Sequence, residues 1–179
     1  MMGGRAEHPE LWEFLEARHP GEVLSGTVAA IEPFGVFVAL DDGPDHPVFP
    51  GVGFVSYPEL SWRRFAAATE VVRVGQCVSG ELLVFDTTNL EARLSLRALQ
   101  PDPFQAFAEH TAVGQELRGR VTLLTSIGAF VEVADGVEGL VREPAGERRA
   151  GAGTTVVVTG IDRERRRLTL AWRCRPGPG

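Results

Sequence analysis

Phe37 and Phe130 stand 93 residues apart, at matching places in two stretches that nearly repeat each other, 21–40 and 114–133. Alternation along a strand sets Val36, Val38 and Leu40 on one face and Gly35, Phe37 and Ala39 on the other. The second copy divides the same way: Ala129, Val131 and Val133 against Gly128, Phe130 and Glu132. The valine face is the natural core, so both phenylalanines are predicted to point outward, over glycines that leave the nearby backbone bare. A later strand in each copy alternates too. Leu94, Leu96 and Ala98 oppose Arg93, Ser95 and Arg97; Leu168, Leu170 and Trp172 oppose Arg167, Thr169, Ala171 and Arg173. An outward ring beside an outward guanidinium can stack a base and clamp a phosphate, which is how single-stranded nucleic acid is held. The competing possibility is that both rings pack against a neighbouring helix or domain.

The elements that position these residues also recur. A short helix is predicted from Pro9 to Arg18, ended by Pro20-Gly21, and another over 103–110; Phe14 and Phe107 are 93 residues apart as well. Five strands are predicted in the first copy: Val23 to Ile31, Gly35 to Leu40, Val52 to Ser56, Gly75 to Phe85 and Ala92 to Ala98. A turn and a short helix, Trp62 to Ala68, fall between the third and fourth. The second copy is more compact: Glu116 to Leu124, Gly128 to Val133, Val137 to Val141, Thr154 to Ile161 and Arg167 to Trp172. Glycines inside strands, such as Gly26, mark the bends a small barrel needs. The pattern is all-β with short helices: two tandem five-stranded Greek-key barrels of the oligonucleotide-binding (OB) type, each preceded by a short helix. Boundaries follow: 1–9 disordered, 10–101 the first domain, 102–174 the second, 175–179 a tail.

Composition narrows the function classes. The 179 residues carry a net charge of -6 and no lysine. Residues 1–101 hold 7 arginines against 14 carboxylates, and 102–179 hold 11 against 10. The first domain is therefore acidic and the second nearly balanced. Every cation is a planar guanidinium suited to stacking and bidentate phosphate contact. The chain shows no apolar run of membrane-spanning length and no signal-peptide pattern, so a cytoplasmic location is expected. Cys77 and Cys174 are read as inert thiols. His8, His19, His46 and His110 are scattered, without a nucleophile or metal-ligand spacing, and no phosphate-cradling loop with lysine exists. Neither catalysis, a metal nor a cofactor is expected.

Together these residues resemble the S1 domain, an RNA-binding unit named for a large ribosomal protein. The carrying motifs in the first copy are Pro33-Phe34-Gly35-Val36-Phe37-Val38, then Gly53-Phe54-Val55-Ser56 with its Glu59-Leu60 turn, Asp86, and Arg93-Leu94-Ser95-Leu96. In the second they are Ile127-Gly128-Ala129-Phe130-Val131, Gly139-Leu140-Val141-Arg142, Asp162, and Arg167-Leu168-Thr169-Leu170. The resemblance implies an RNA surface made of two aromatics, a histidine, and a closing aspartate and arginine. By position these are Phe34, Phe37, Ser56, Asp86 and Arg93 in the first copy, where Ser56 stands for the histidine. In the second they are Phe130, Arg142, Asp162 and Arg167, where Arg142 stands for the histidine and Ile127 replaces the first aromatic. It implies a protein that holds single-stranded RNA, such as mRNA, with the small ribosomal subunit as a candidate partner. No membrane or small-molecule substrate is implied. The alternative is a protein-interaction adaptor in which the acidic first domain and its loop at 43–51 dock on another protein.

Overall fold

The computed structural model describes residues 4–173, so the expectations for Cys174 and the 175–179 tail lie outside the described residues. The chain divides into two compact units between Pro101 and Asp102.

In the first unit, α1 (Pro9–Glu16) begins on a proline whose missing N–H costs nothing at a helix start. Its apolar face buries Leu11 and Leu15 against the strands that follow. Those strands are β1 (Val23–Glu32), β2 (Gly35–Leu40), β3 (Gly53–Ser56), β4 (Cys77–Asp86) and β5 (Glu91–Ser95). They close into a barrel in the order β1-β2-β3-β5-β4. All pairings are antiparallel except β3 with β5, the parallel seam that closes the barrel. Gly26 is where the curved β1 crosses closely over β2: a Cβ there would lie 2.3 Å from the Ala39 carbonyl oxygen. Val28, Val36, Val38, Val55 and Leu94 fill the interior. Each buried aliphatic of this size contributes roughly 1.5–3 kcal/mol.

The second unit repeats the plan. Helix α2 (Pro103–Glu109) is capped by Asp102, whose side chain accepts from the Phe104 N–H, and Phe104 enters the core. Strands β6 (Glu116–Thr125), β7 (Gly128–Ala134), β8 (Val137–Val141), β9 (Gly153–Asp162) and β10 (Arg167–Trp172) close in the order β10-β8-β7-β6-β9. Val121, Val131, Val141, Leu170 and Trp172 are interior.

Residues 5–7 form a turn, with Arg5 ion-paired to Glu16 at 2.8 Å. Two local expectations are corrected. No helix forms over 62–68. Single turns of 3-10 helix lie at Tyr57–Glu59 and Ala68–Glu70 instead. Between them, side chains take the backbone donors a helix would need: Ser61 Oγ accepts from Arg63 N and Glu70 Oε2 from Ala66 N. The fifth strand stops at Ser95, and Arg97–Leu99 is a 3-10 turn. Ser95 pairs with Glu81 on the outer face, as alternation places it, but the turn that follows covers it, and its hydroxyl accepts the Ala98 N–H.

Candidate nucleic-acid interface

Strand register builds the first site. Phe37 on β2 pairs with Phe54 on β3, and Phe54 pairs with Arg93 on β5. The three side chains therefore form one row across the outer wall of the barrel, apart from the core cluster inside. Phe37 does point away from the core, as alternation demands. It is nevertheless only 3% exposed, which corrects the expectation of a bare ring. The covering groups are other rings: Phe34, Phe49 and Phe54, with centroids 6.0, 5.1 and 5.3 Å away. Nor is the backbone at Gly35 bare. The Phe54 ring lies so close that a Cβ on Gly35 would sit 2.3 Å from it. The glycine accommodates the chain's own phenylalanine.

Exposure passes to Phe34, which is 62% exposed and stacks on Phe54 at 6.1 Å with planes 22° apart. The hairpin between β1 and β2 places it there. Arg93 also lies over Phe54, its guanidinium carbon 5.3 Å from the ring centre. Two Arg93 nitrogens, Nε and Nη2, donate to Asp86 Oδ2 at 3.3 and 3.1 Å. Burial would raise the Asp86 pKa, but the backbone N–H groups of Asn89 and Thr88 and the Arg93 cation outweigh it and hold it below the usual carboxylate range. Ser56, half-buried, pairs with Gly35 at the end of the same sheet. The arrangement offers an exposed ring on an aromatic bed, with an oriented guanidinium beside it.

The sequence reading missed Phe49, Phe54 and His46. His46 is buried and fixes the loop that delivers Phe49. Its Nδ1 accepts from Val48 N at 3.1 Å and Phe49 N at 2.9 Å, and Nε2 meets the Asn89 carbonyl at 2.8 Å. The two backbone donors require an acceptor at Nδ1, so the ring is neutral with its proton on Nε2. Burial lowers its pKa. The signal that could have found this group was four phenylalanines and a histidine within residues 34–54.

The second barrel carries a reduced version. Phe130 pairs with Leu140, which pairs with Thr169, so the row reads Phe-Leu-Thr where the first reads Phe-Phe-Arg. Phe130 is half-buried, and Ile127, at the place of Phe34, is 65% exposed. Arg142 and Arg167 are exposed and Asp162 half-buried. Gly128 is also no bare landing: a Cβ there would fall 1.8 Å from the Val141 carbonyl oxygen.

Register also corrects the match between the copies. Asp86 pairs with Glu91, and Asp162 with Arg167. Leu82 pairs with Leu94, and Val158 with Leu170. Thr169 is therefore the counterpart of Arg93, and Glu91 that of Arg167. The shared Arg-Leu-(Ser/Thr)-Leu motif is offset by two residues. A slip of two keeps a side chain on the same face, so both arginines still point outward.

Residues 19–97, the first barrel, match the S1 RNA binding domain family. This first barrel is therefore an S1 RNA-binding domain by sequence match. Small ribosomal subunit protein bS1 of Mycobacterium leprae (strain TN) is 40% identical over 169 residues, covering 89% of this chain and 34% of that protein. The bS1 of Neisseria meningitidis serogroup B is 33% identical over 176 residues, covering 92% of this chain and 30% of that protein. The chain thus spans about a third of these relatives' length. Among solved structures, the intact α subunit of aIF2 from Pyrococcus abyssi is similar at 24% identity, with a TM-score of 0.40, over 51% of this chain and 34% of that one. Among the described residues, no group of three or more His, Cys, Asp or Glu could hold a metal ion. No described helix is long and apolar enough to cross a membrane.

Proposed function

We propose that this chain holds single-stranded RNA, such as mRNA, on the outer aromatic rows of its two S1-type barrels and acts in translation beside the small ribosomal subunit, in the cytoplasm. The observation that carries the reading is the Phe37–Phe54–Arg93 row with the exposed Phe34 stacked upon it. Phe34 is the stacking ring, and Phe37 and Phe54 are the bed that fixes its plane. Arg93, oriented by Asp86, meets phosphate or stacks on the next base, while Ser56 lines the row's end. In the second barrel Phe130 supplies a smaller platform, with Arg142 and Arg167 as phosphate contacts and Asp162 at the strand's close. The bS1 relatives are named as small-subunit proteins, which supports the ribosomal setting.

Titration of labelled single-stranded RNA across a salt series tests this. Base stacking on an aromatic is worth roughly 1–3 kcal/mol, so Phe34→Ala is expected to weaken binding by about five-fold or more. Arg93→Ala should flatten the log–log salt dependence by about 0.7, the value of one single-strand phosphate contact. RNA binding unaffected by either change would reject the reading and favour a protein-docking role for the acidic first barrel.

A further inference from the structure

The second barrel has an open groove of about 970 Å³ that belongs to neither its aromatic row nor its core. Its walls come from β6, the start of β9, the 142–152 connection and the residue after β10. Arg118, Arg148 and Arg173 line it together with Gly153, Thr154 and Thr155, and among the described residues Glu147 is the one carboxylate in the lining. Register explains this lining. Arg118 pairs with Thr155 across β6 and β9, and the Arg173 N–H donates to the Thr155 carbonyl at 3.2 Å. Arg148 arrives from the connection with its guanidinium carbon 4.0 Å over the Trp172 ring, and Nη1 donates to the Ala145 carbonyl at 3.1 Å. A stacked guanidinium is already ordered, so it gives up less freedom when it takes an anion. Arg173 Nε meets Glu116 Oε1 at 3.3 Å, but both side chains are half exposed, and such a pair is worth little and exchanges readily.

Three planar forks, with Thr155 beside Arg118, around one open groove form a receptor for phosphate oxygens rather than for a base, because among the described residues no aromatic face lies open in its lining. We propose that this groove is a second phosphate-binding site, taking the sugar–phosphate backbone of RNA away from the Phe130 platform. The inference rests on the RNA-binding reading above. It assigns the second barrel a backbone-gripping role that compensates for the leucine and threonine in its aromatic row. The 11 arginines of residues 102–179 then matter by placement, since 10 carboxylates nearly cancel them overall.

The test uses the full chain, a labelled 20-nucleotide oligouridylate, and inorganic tripolyphosphate as a small-molecule probe. Arg118→Ala with Arg173→Ala should weaken oligouridylate binding at least several-fold. It should also flatten the log–log salt slope by about 1.4, as two lost single-strand phosphate contacts would. Gly153→Glu serves as the second variant. A Cβ at Gly153 meets nothing within 4 Å, so the side chain fits and sets a carboxylate in the groove. It should weaken binding in the same direction without shifting the thermal midpoint. An unchanged salt slope in both variants overturns the proposal. So does loss of tripolyphosphate binding with RNA binding intact, which would make the groove a site for a small phosphorylated molecule. The two readings fail separately. If Phe34→Ala/Arg93→Ala abolishes RNA binding while the groove variants do nothing, the groove inference falls alone. If the groove variants weaken binding and Phe34→Ala/Arg93→Ala has no effect, the groove stands and the aromatic row is not the platform.

Discussion

Glu91 of the first barrel and Arg167 of the second occupy the same strand position, each paired with the aspartate that ends the preceding strand, Asp86 or Asp162. One barrel sets a carboxylate where the other sets a guanidinium. Arg167 is exposed, whereas Glu91 is only 3% exposed. The first barrel recovers a cation by moving it two residues on, to Arg93, which then reaches back to Asp86.

That exchange has a pH signature. Burial drives the Glu91 pKa up to about 7, with Asp86 adding to the effect and Arg93 opposing it. A raised carboxyl pKa means the folded state keeps a proton the unfolded chain has lost. This contribution to stability is complete below about pH 4.5 and disappears as pH rises to about 7. Glu91→Gln should therefore leave stability at pH 4.5 nearly unchanged and raise it at pH 8. The upper bound is about 3.4 kcal/mol, the free energy of moving the carboxyl pKa from 4.5 to about 7. Denaturant unfolding at the two pH values measures the difference; equal effects at both would show that Glu91 is not held protonated.

His46 works in the other direction. Its pKa is lowered by burial, so its stabilising role is present above the ordinary histidine pKa of 6.5 and is lost as pH falls below it. Protonation at Nδ1 would turn the acceptor of two backbone N–H groups into a donor facing them. Between pH 7 and 5 the wild-type first unit should thus loosen at the 46–49 loop, and His46→Ala should remove that pH response at a cost in stability. Amide hydrogen exchange at Val48 and Phe49 across this range reads it. Protection that does not change with pH would show that His46 stays neutral throughout.

The rings of the first row divide into binding and scaffold. Phe37→Ala empties a buried site, and a loss of about 3–5 kcal/mol of stability is expected for a buried phenylalanine. Phe34→Ala removes an exposed ring and should change stability by under about 1 kcal/mol while still weakening RNA binding. Thermal unfolding run beside the RNA titration separates the two. If Phe34→Ala proves as destabilising as Phe37→Ala, Phe34 is part of the scaffold.

Asp102 links the second barrel to its helix. One oxygen caps α2 through the Phe104 N–H, and both oxygens accept from Arg166 at 2.7 Å. Burial alone would raise its pKa, but the Arg166 pair and the Phe104 N–H outweigh this and depress it. Asp102→Ala should cost about 1–2 kcal/mol through the lost cap, plus the ion pair. Asp102→Asn should cost less, because the amide oxygen still caps the helix. Urea unfolding of the full chain compares them, and equal losses would show that the cap contributes nothing.

The sequence alone determined the two barrels, the lead-in helices and the outward direction of Phe37, Phe130, Arg93 and Arg167. Those features depend on local rules: alternation along a strand, glycine at bends and proline at helix starts. Tertiary structure decided what covers an outward side chain. Phe37 is sealed because β3 lays Phe54 over Gly35 and a histidine-pinned loop delivers Phe49, and alternation carries no information about neighbouring strands or loops. Cross-strand register likewise decided that Glu91, not Arg93, corresponds to Arg167, because a two-residue offset leaves the face pattern unchanged. The arginine groove on the second barrel was also unreadable from the sequence: Arg118, Arg148 and Arg173 lie apart along the chain and come to line one groove only when the barrel closes.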